Sequence, residues 1–186
     1  GMLPDWAVLW EKSTLVINFY GPCEAVIPLP SGDRLTLTQK TGDPVDGQIE
    51  MRLSTRKRSA FAVKLRIPAW SRDTSVRLNG VWNGPAPEPG AYLVIPERTW
   101  GRDERIDLKL DMSPHHWTGE GPREGRAALY AGPLLLAFDT QWNATEVANL
   151  APVDLARRDL RFTPPSRDRR PGFFPPMGYW TVPVAR

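Results

Sequence analysis

Apolar and polar positions alternate along most of the first 138 residues. Leu35 and Leu37 open the pattern, Ile49, Met51 and Leu53 continue it, and Phe61, Val63, Leu65 and Ile67 follow with Lys64 and Arg66 between them. Val76 and Leu78 form a shorter piece. Ile106, Leu108, Leu110 and Met112 then alternate with Asp107, Lys109 and Asp111 in the cleanest amphipathic run of the chain. A period of two places one set of side chains on a core and the other in water, so each run predicts an antiparallel strand. The runs at 15–20, 92–95, 127–130 and 134–138 alternate less and predict strands buried on both faces or lying at a sheet centre. The exception is residues 4–12, where Leu3, Trp6, Leu9 and Trp10 fit one face of a short helix.

Turn chemistry separates these runs. Ser31-Gly32-Asp33, Asp46-Gly47, Asn79-Gly80, Asn83-Gly84, Pro89-Gly90 and Gly132-Pro133 supply residues that accept positive φ or fix it. Strands at this spacing predict a sandwich or barrel of roughly ten strands. After residue 138 the texture changes: seven of the last 48 residues are proline, which interrupts any hydrogen-bonded ladder. The expected architecture is an all-β, antiparallel, jelly-roll-like sandwich over 15–138, preceded by a lead-in over 1–14. A proline-rich irregular extension follows over 139–186, with a fragment of a second β domain as its alternative reading.

Composition narrows the function. The 41% hydrophobic content of the 186 residues suffices for a core, and no apolar run approaches the ~20 residues that a spanning helix needs. A membrane is therefore not an expected partner. Nineteen Arg and five Lys face 21 acids, a net charge of only +3. The basic clusters Arg56-Lys57-Arg58 and Arg167-Asp168-Arg169-Arg170 are short and sit beside turns or prolines, so nucleic acid is not expected either. Cys23 is the single cysteine, which excludes an intramolecular disulfide and a thiolate-rich metal site within the chain. The N-terminal residues lack a basic region followed by an apolar one, so no signal peptide is read and the default compartment is the cytoplasm.

The candidate chemistry is sparse. His115 and His116 are neighbours on an extended run and point to opposite faces, which prevents them from converging on one ion. Glu120 and Glu124 flank the loop 119–125, and Asp43 and Asp46 flank a turn; either pair could offer the two carboxyl groups of a glycosidase, but Asp beside Gly or Pro is first a turn former. The glycines of 119–125 lack the spacing and the following helix of a phosphate loop, and read as a hairpin connection. Asn143-Ala144-Thr145 is a glycosylation sequon. Eight tryptophans are the most functional-looking feature, because an exposed indole stacks on the apolar face of a sugar ring. Trp82, Trp100, Trp117 and Trp142 fall near turns or strand ends and are the candidate carbohydrate-binding residues; burial is the competing role for all four. Trp70, after Ile67-Pro68, reads as structural.

Several of these runs resemble one family. Phe61-Ala62-Val63-Lys64-Leu65-Arg66-Ile67-Pro68-Ala69-Trp70-Ser71 with Val76-Arg77-Leu78-Asn79-Gly80 is similar to a signature of glycoside hydrolase family 127. Tyr92-Leu93-Val94-Ile95, Arg98-Thr99-Trp100, the run from Ile106 to Met112 and Leu129-Tyr130-Ala131-Gly132-Pro133-Leu134-Leu135-Leu136-Ala137 continue it in order. Leu15-Val16-Ile17-Asn18-Phe19-Tyr20 and Thr41-Gly42-Asp43-Pro44-Val45-Asp46-Gly47 match upstream, so the resemblance covers about residues 13–138. It implies the β-sandwich part of a β-L-arabinofuranosidase-like bacterial enzyme whose catalytic barrel of paired helices lies upstream, outside this chain.

The family's cysteine nucleophile and its zinc site of cysteines and a glutamate would lie on that barrel. Cys23 does not correspond to the family's cysteine pair, so no catalytic, cofactor or metal residue is carried over. The resemblance implies a non-catalytic accessory domain, with a catalytic barrel chain or a second copy as partner. A stand-alone carbohydrate-binding module, or a glycosidase active only with a separate catalytic chain, are the alternatives.

Overall fold

A computed structural model describes residues 6–137 and Asn149. The chain divides into two compact units, Gly1–Met112 and Ser113–Arg186. In the first unit the strands are β1 (Val8–Glu11), β2 (Thr14–Ile17), β3 (Cys23–Pro28), β4 (Arg34–Thr41), β5 (Gln48–Thr55), β6 (Ser59–Arg66), β7 (Ser75–Leu78), β8 (Tyr92–Trp100) and β9 (Glu104–Lys109). They form a four-stranded sheet in the order β1-β2-β6-β8 and a five-stranded sheet in the order β3-β4-β5-β9-β7. All neighbours are antiparallel except β2 and β6, which run parallel with Thr14 opposite Ala62 and Ile17 opposite Leu65. The all-β sandwich expected from the alternation is the fold observed.

The alternating positions meet between the two sheets. Leu15, Ile17, Phe61, Val63, Leu65, Leu93 and Ile95 come from one sheet, and Leu35, Leu37, Ile49, Met51, Leu53, Ile106 and Leu108 from the other; all are buried in one cluster. Between them the polar residues Lys64, Asp107 and Lys109 face outward, as a period of two requires.

Two local expectations are corrected. Residues 8–11 form a strand and not a helix, because a two-residue turn at Lys12-Ser13, with Lys12 at φ 53°, folds them back onto β2. Val8 and Trp10 then pack against the core and Leu9 points away, so pairing with β2 overrides the helical spacing. Residues 92–95 are not buried on both faces: β8 is an edge strand, and Tyr92 and Val94 are exposed. The run at 15–17 does meet the expectation, since β2 lies between β1 and β6 and all three residues are buried. Sequence reading also missed β3, an edge strand whose outward Glu24 and Val26 and half-buried Ala25 and Ile27 give a weak pattern.

The pairing of β6 with β8 carries one irregularity that matters below. Val63 faces Ile95 but Phe61 faces Arg98, so Ala62 alone opposes Pro96 and Glu97. This bulge accommodates a proline in the strand and reverses the inside-outside parity beyond it. Leu93 and Ile95 point inward before the bulge, and Trp100 points inward after it.

In the second unit β10 (Pro114–Thr118), β11 (Ala127–Ala131) and β12 (Leu134–Leu136) form an antiparallel meander. The loop between β10 and β11 contains a short 3-10 turn at Gly121–Arg123, so the 119–125 segment is the hairpin connection its glycines predict. The expected proline-rich extension over 139–186 and the sequon lie outside the described residues, apart from Asn149.

Candidate functional site

The four tryptophans nominated for sugar binding do not assemble into a platform. Trp100 is fully buried, its ring stacked on Phe61 at 5.4 Å between centroids and its indole N–H donating to the Phe61 carbonyl at 2.8 Å. It offers no face to a sugar, and its assignment as a binding residue is corrected to a core role; the bulge in β8 is the cause. Trp82 is half-buried, packs against the core and donates to the Pro85 carbonyl at 2.9 Å, curling over Gly84 within its own loop. Trp117 on β10 is 59% exposed and is the one nominated indole with an open face among the described residues. Trp142 lies outside the described residues. Trp70 packs against the core, as expected.

The other candidates resolve into structural roles. His115 stacks on Tyr130 at 5.4 Å, while His116 is exposed on the opposite face of β10. Cys23 is exposed, with the Gln39 side-chain amide 3.4 Å from its sulfur. No three His, Cys, Asp or Glu residues converge among the described residues, so these side chains do not fit the zinc site that the family resemblance implies elsewhere. Glu120 and Glu124 are exposed on the β10–β11 loop. Asp43 and Asp46 lie on a tight turn in which the Asp46 carboxylate accepts the Gln48 amide at 2.8 Å and the Thr41 hydroxyl accepts the Asp43 amide at 2.9 Å. Burial, reinforced by the neighbouring Asp46 charge, holds the Asp43 carboxyl above its ordinary range. Tyr20 below it donates to the Arg66 carbonyl at 2.7 Å, and burial pushes its phenol far up, so it stays protonated.

Sequence reading missed a concave site. A cleft of about 540 Å³ opens at the end of the sandwich where β5 turns into β6 and β8 into β9. Its walls carry Arg56, Arg58, Arg98 and Arg102 together with Thr99 and Glu104. The guanidinium of Arg98 lies 4.9 Å above the Trp100 ring and pairs with Glu104 at 3.2 Å; Glu104 also accepts the Asn79 amide at 2.6 Å. Arg56, Arg58 and Arg102 are exposed and form no ion pair with a described residue. The sequence signal for this cleft is the Arg56-Lys57-Arg58 cluster, which Arg98 and Arg102 join only through the fold.

Fold and site together define a β-sandwich domain with an arginine-lined cleft at one end. The family model described as the middle domain of GH127 β-L-arabinofuranosidases matches residues 14–112, more than half of the chain, and the chain belongs to that family. Among solved structures, a GH127 β-L-arabinofuranosidase from Geobacillus stearothermophilus is similar at 26% identity and TM-score 0.61, over 70% of this chain and 21% of that one. Another GH127 β-arabinofuranosidase is 25% identical with TM-score 0.63, over 72% of this chain and 24% of that one. A structure described as a glycoside hydrolase shares the fold at 24% identity and TM-score 0.63, over 69% of this chain and 22% of that one. The chain thus spans between a fifth and a quarter of the length of these structures. No curated protein matches it.

Proposed function

We propose that this chain serves as a non-catalytic accessory domain of a GH127-type glycoside hydrolase, bracing a separate catalytic part that acts on β-L-arabinofuranosides. The observation that carries the reading is the match of residues 14–112 to a middle domain, together with likenesses that cover only 21–24% of the similar structures. The partner is a catalytic barrel, and the contribution is mechanical: a rigid sandwich that holds its neighbour in place. A stand-alone sugar-binding module draws less support, because of the three described candidate indoles only Trp117 has an open face.

The test is a domain exchange. Residues 14–112 replace the corresponding middle domain of the Geobacillus relative, and hydrolysis of an aryl β-L-arabinofuranoside is measured for the chimera and for the present chain alone. The expected result is a folded, active chimera and an inactive isolated chain. Turnover by the isolated chain, or a folded chimera without activity, would overturn the proposal.

A further inference from the structure

The arginine-lined cleft stands out by its composition. Four arginines line one shared space with a single acid, Glu104, and only Arg98 is paired with it. Arg98 is held in place from two sides, by Glu104 and by the Trp100 ring beneath it. Arg56 and Arg58 come from the β5–β6 turn, which is anchored where the Lys57 amide donates to the Asp33 carboxylate at 2.6 Å. Arg102 comes from the turn between β8 and β9, where Asp103 adopts φ 57° and pairs with Arg52 at 2.6 Å. Asp103 and Glu104, the acids next to Arg102 in the chain, are thus paired with Arg52 and Arg98, while the Asp33 carboxylate lies near enough to Arg56 to interact with its charge.

We propose that this cleft binds a carboxylated sugar oligomer, with the arginines receiving its uronate carboxyl groups. Planar guanidinium forks match a carboxylate two bonds at a time, which gives orientation as well as attraction. The volume of about 540 Å³ lies in the ~300–1,000 Å³ range of small-molecule clefts and exceeds what a lone inorganic anion would fill. Trp100 is wholly covered, so the cleft has no indole face on which a neutral sugar could stack, and charge takes over recognition. That the oxyanion is carried by a sugar rests on the proposed role in a glycoside hydrolase; the oxyanion preference rests on the cleft alone.

The experiment is calorimetric titration of the full chain with trigalacturonate, beside neutral arabinotriose, inorganic phosphate and triglutamate, at low ionic strength. Saturable one-site binding of trigalacturonate is expected, weakened about tenfold or more in each of Arg56→Gln and Arg102→Gln, since charge-assisted bonds are lost. Arg66→Gln, at the other end of β6, is expected to leave binding unchanged. Undiminished binding in both cleft variants, or an equal loss in Arg66→Gln, overturns the site. Phosphate, triglutamate or arabinotriose binding as tightly as trigalacturonate overturns the uronate assignment. The domain exchange separates the two proposals: an active chimera with no trigalacturonate binding sinks the cleft alone, and an inactive folded chimera that binds trigalacturonate sinks the bracing role alone.

Discussion

Replacing Trp100 by Phe tests whether this indole holds the sandwich together. The substitution keeps an aromatic ring against Phe61 but removes the N–H that donates to the Phe61 carbonyl. A buried acceptor left without its donor costs about 1–3 kcal/mol. The missing part of the indole leaves a void of about 40 Å³, worth about 1 kcal/mol at ~24 cal/mol per Å³. The weaker cation–π contact from Arg98 subtracts a few tenths more, because that side chain is about one-third exposed. The sum is about 2–4 kcal/mol, which lowers the melting temperature by roughly 5–15 °C for a chain of this size. Thermal and urea unfolding followed by near-ultraviolet circular dichroism measure it. In a double-mutant cycle of Trp100→Leu with Phe61→Leu, which removes the stacked pair, a coupling of about 0.5–1.5 kcal/mol is expected. A loss below about 0.5 kcal/mol, the range of ordinary surface changes, would refute the core assignment and return Trp100 to the candidates for ligand contact.

Three further substitutions probe the turns. Gly47 closes on the Leu110 backbone, whose amide donates to the Gly47 carbonyl at 2.8 Å, and a methyl group there would run into the Leu110 carbonyl; Gly47→Ala should cost about 1–3 kcal/mol in urea unfolding. The Asp43 carboxyl is held above its ordinary range by burial, so the folded state keeps that proton longer than the unfolded one and stability falls as pH rises through the interval above the usual aspartate value. Asp43→Asn should therefore raise the melting temperature at neutral pH and give no advantage in acid. Asp33 behaves oppositely: the Lys57 and Arg34 amides hold its carboxyl below the usual range, so its contribution is present at neutral pH and is lost as pH falls through that depressed value. The stability deficit of Asp33→Ala should shrink across the same acid interval in a series of thermal melts.

Much of the sandwich was visible in the alternation, because a two-sheet core demands apolar residues at every second position. The strands carrying Leu35 and Leu37, Ile49 to Leu53, Phe61 to Leu65 and Ile106 to Leu108 all place those side chains in the shared core. What escaped is what alternation does not encode. At β1 the tight turn at Lys12 overrode a helical spacing, and at β3 an edge position left the pattern too weak to recognise. Trp100 is nominated by its place at a strand end; the bulge opposite Ala62 turns it inward, because one inserted residue exchanges inside for outside and no local signal marks how Pro96 is absorbed. The cleft escaped for a related reason. Arg56 and Arg58 meet Arg98 and Arg102 across about forty residues of chain, a juxtaposition created by strand pairing alone.

The parallel pairing of β2 with β6 sets an order of assembly. Thr14 and Ala62 lie 48 positions apart in the chain, and β3, β4 and β5 are built in the opposite sheet between them. The β1–β2 ribbon is synthesised before β6, yet it has no lateral partner until β6 has left the ribosome. A two-stranded ribbon is marginal on its own. The ribbon is therefore secured later than strands that follow it in the chain, and the closing of a long loop between β2 and β6 gates the formation of the four-stranded sheet.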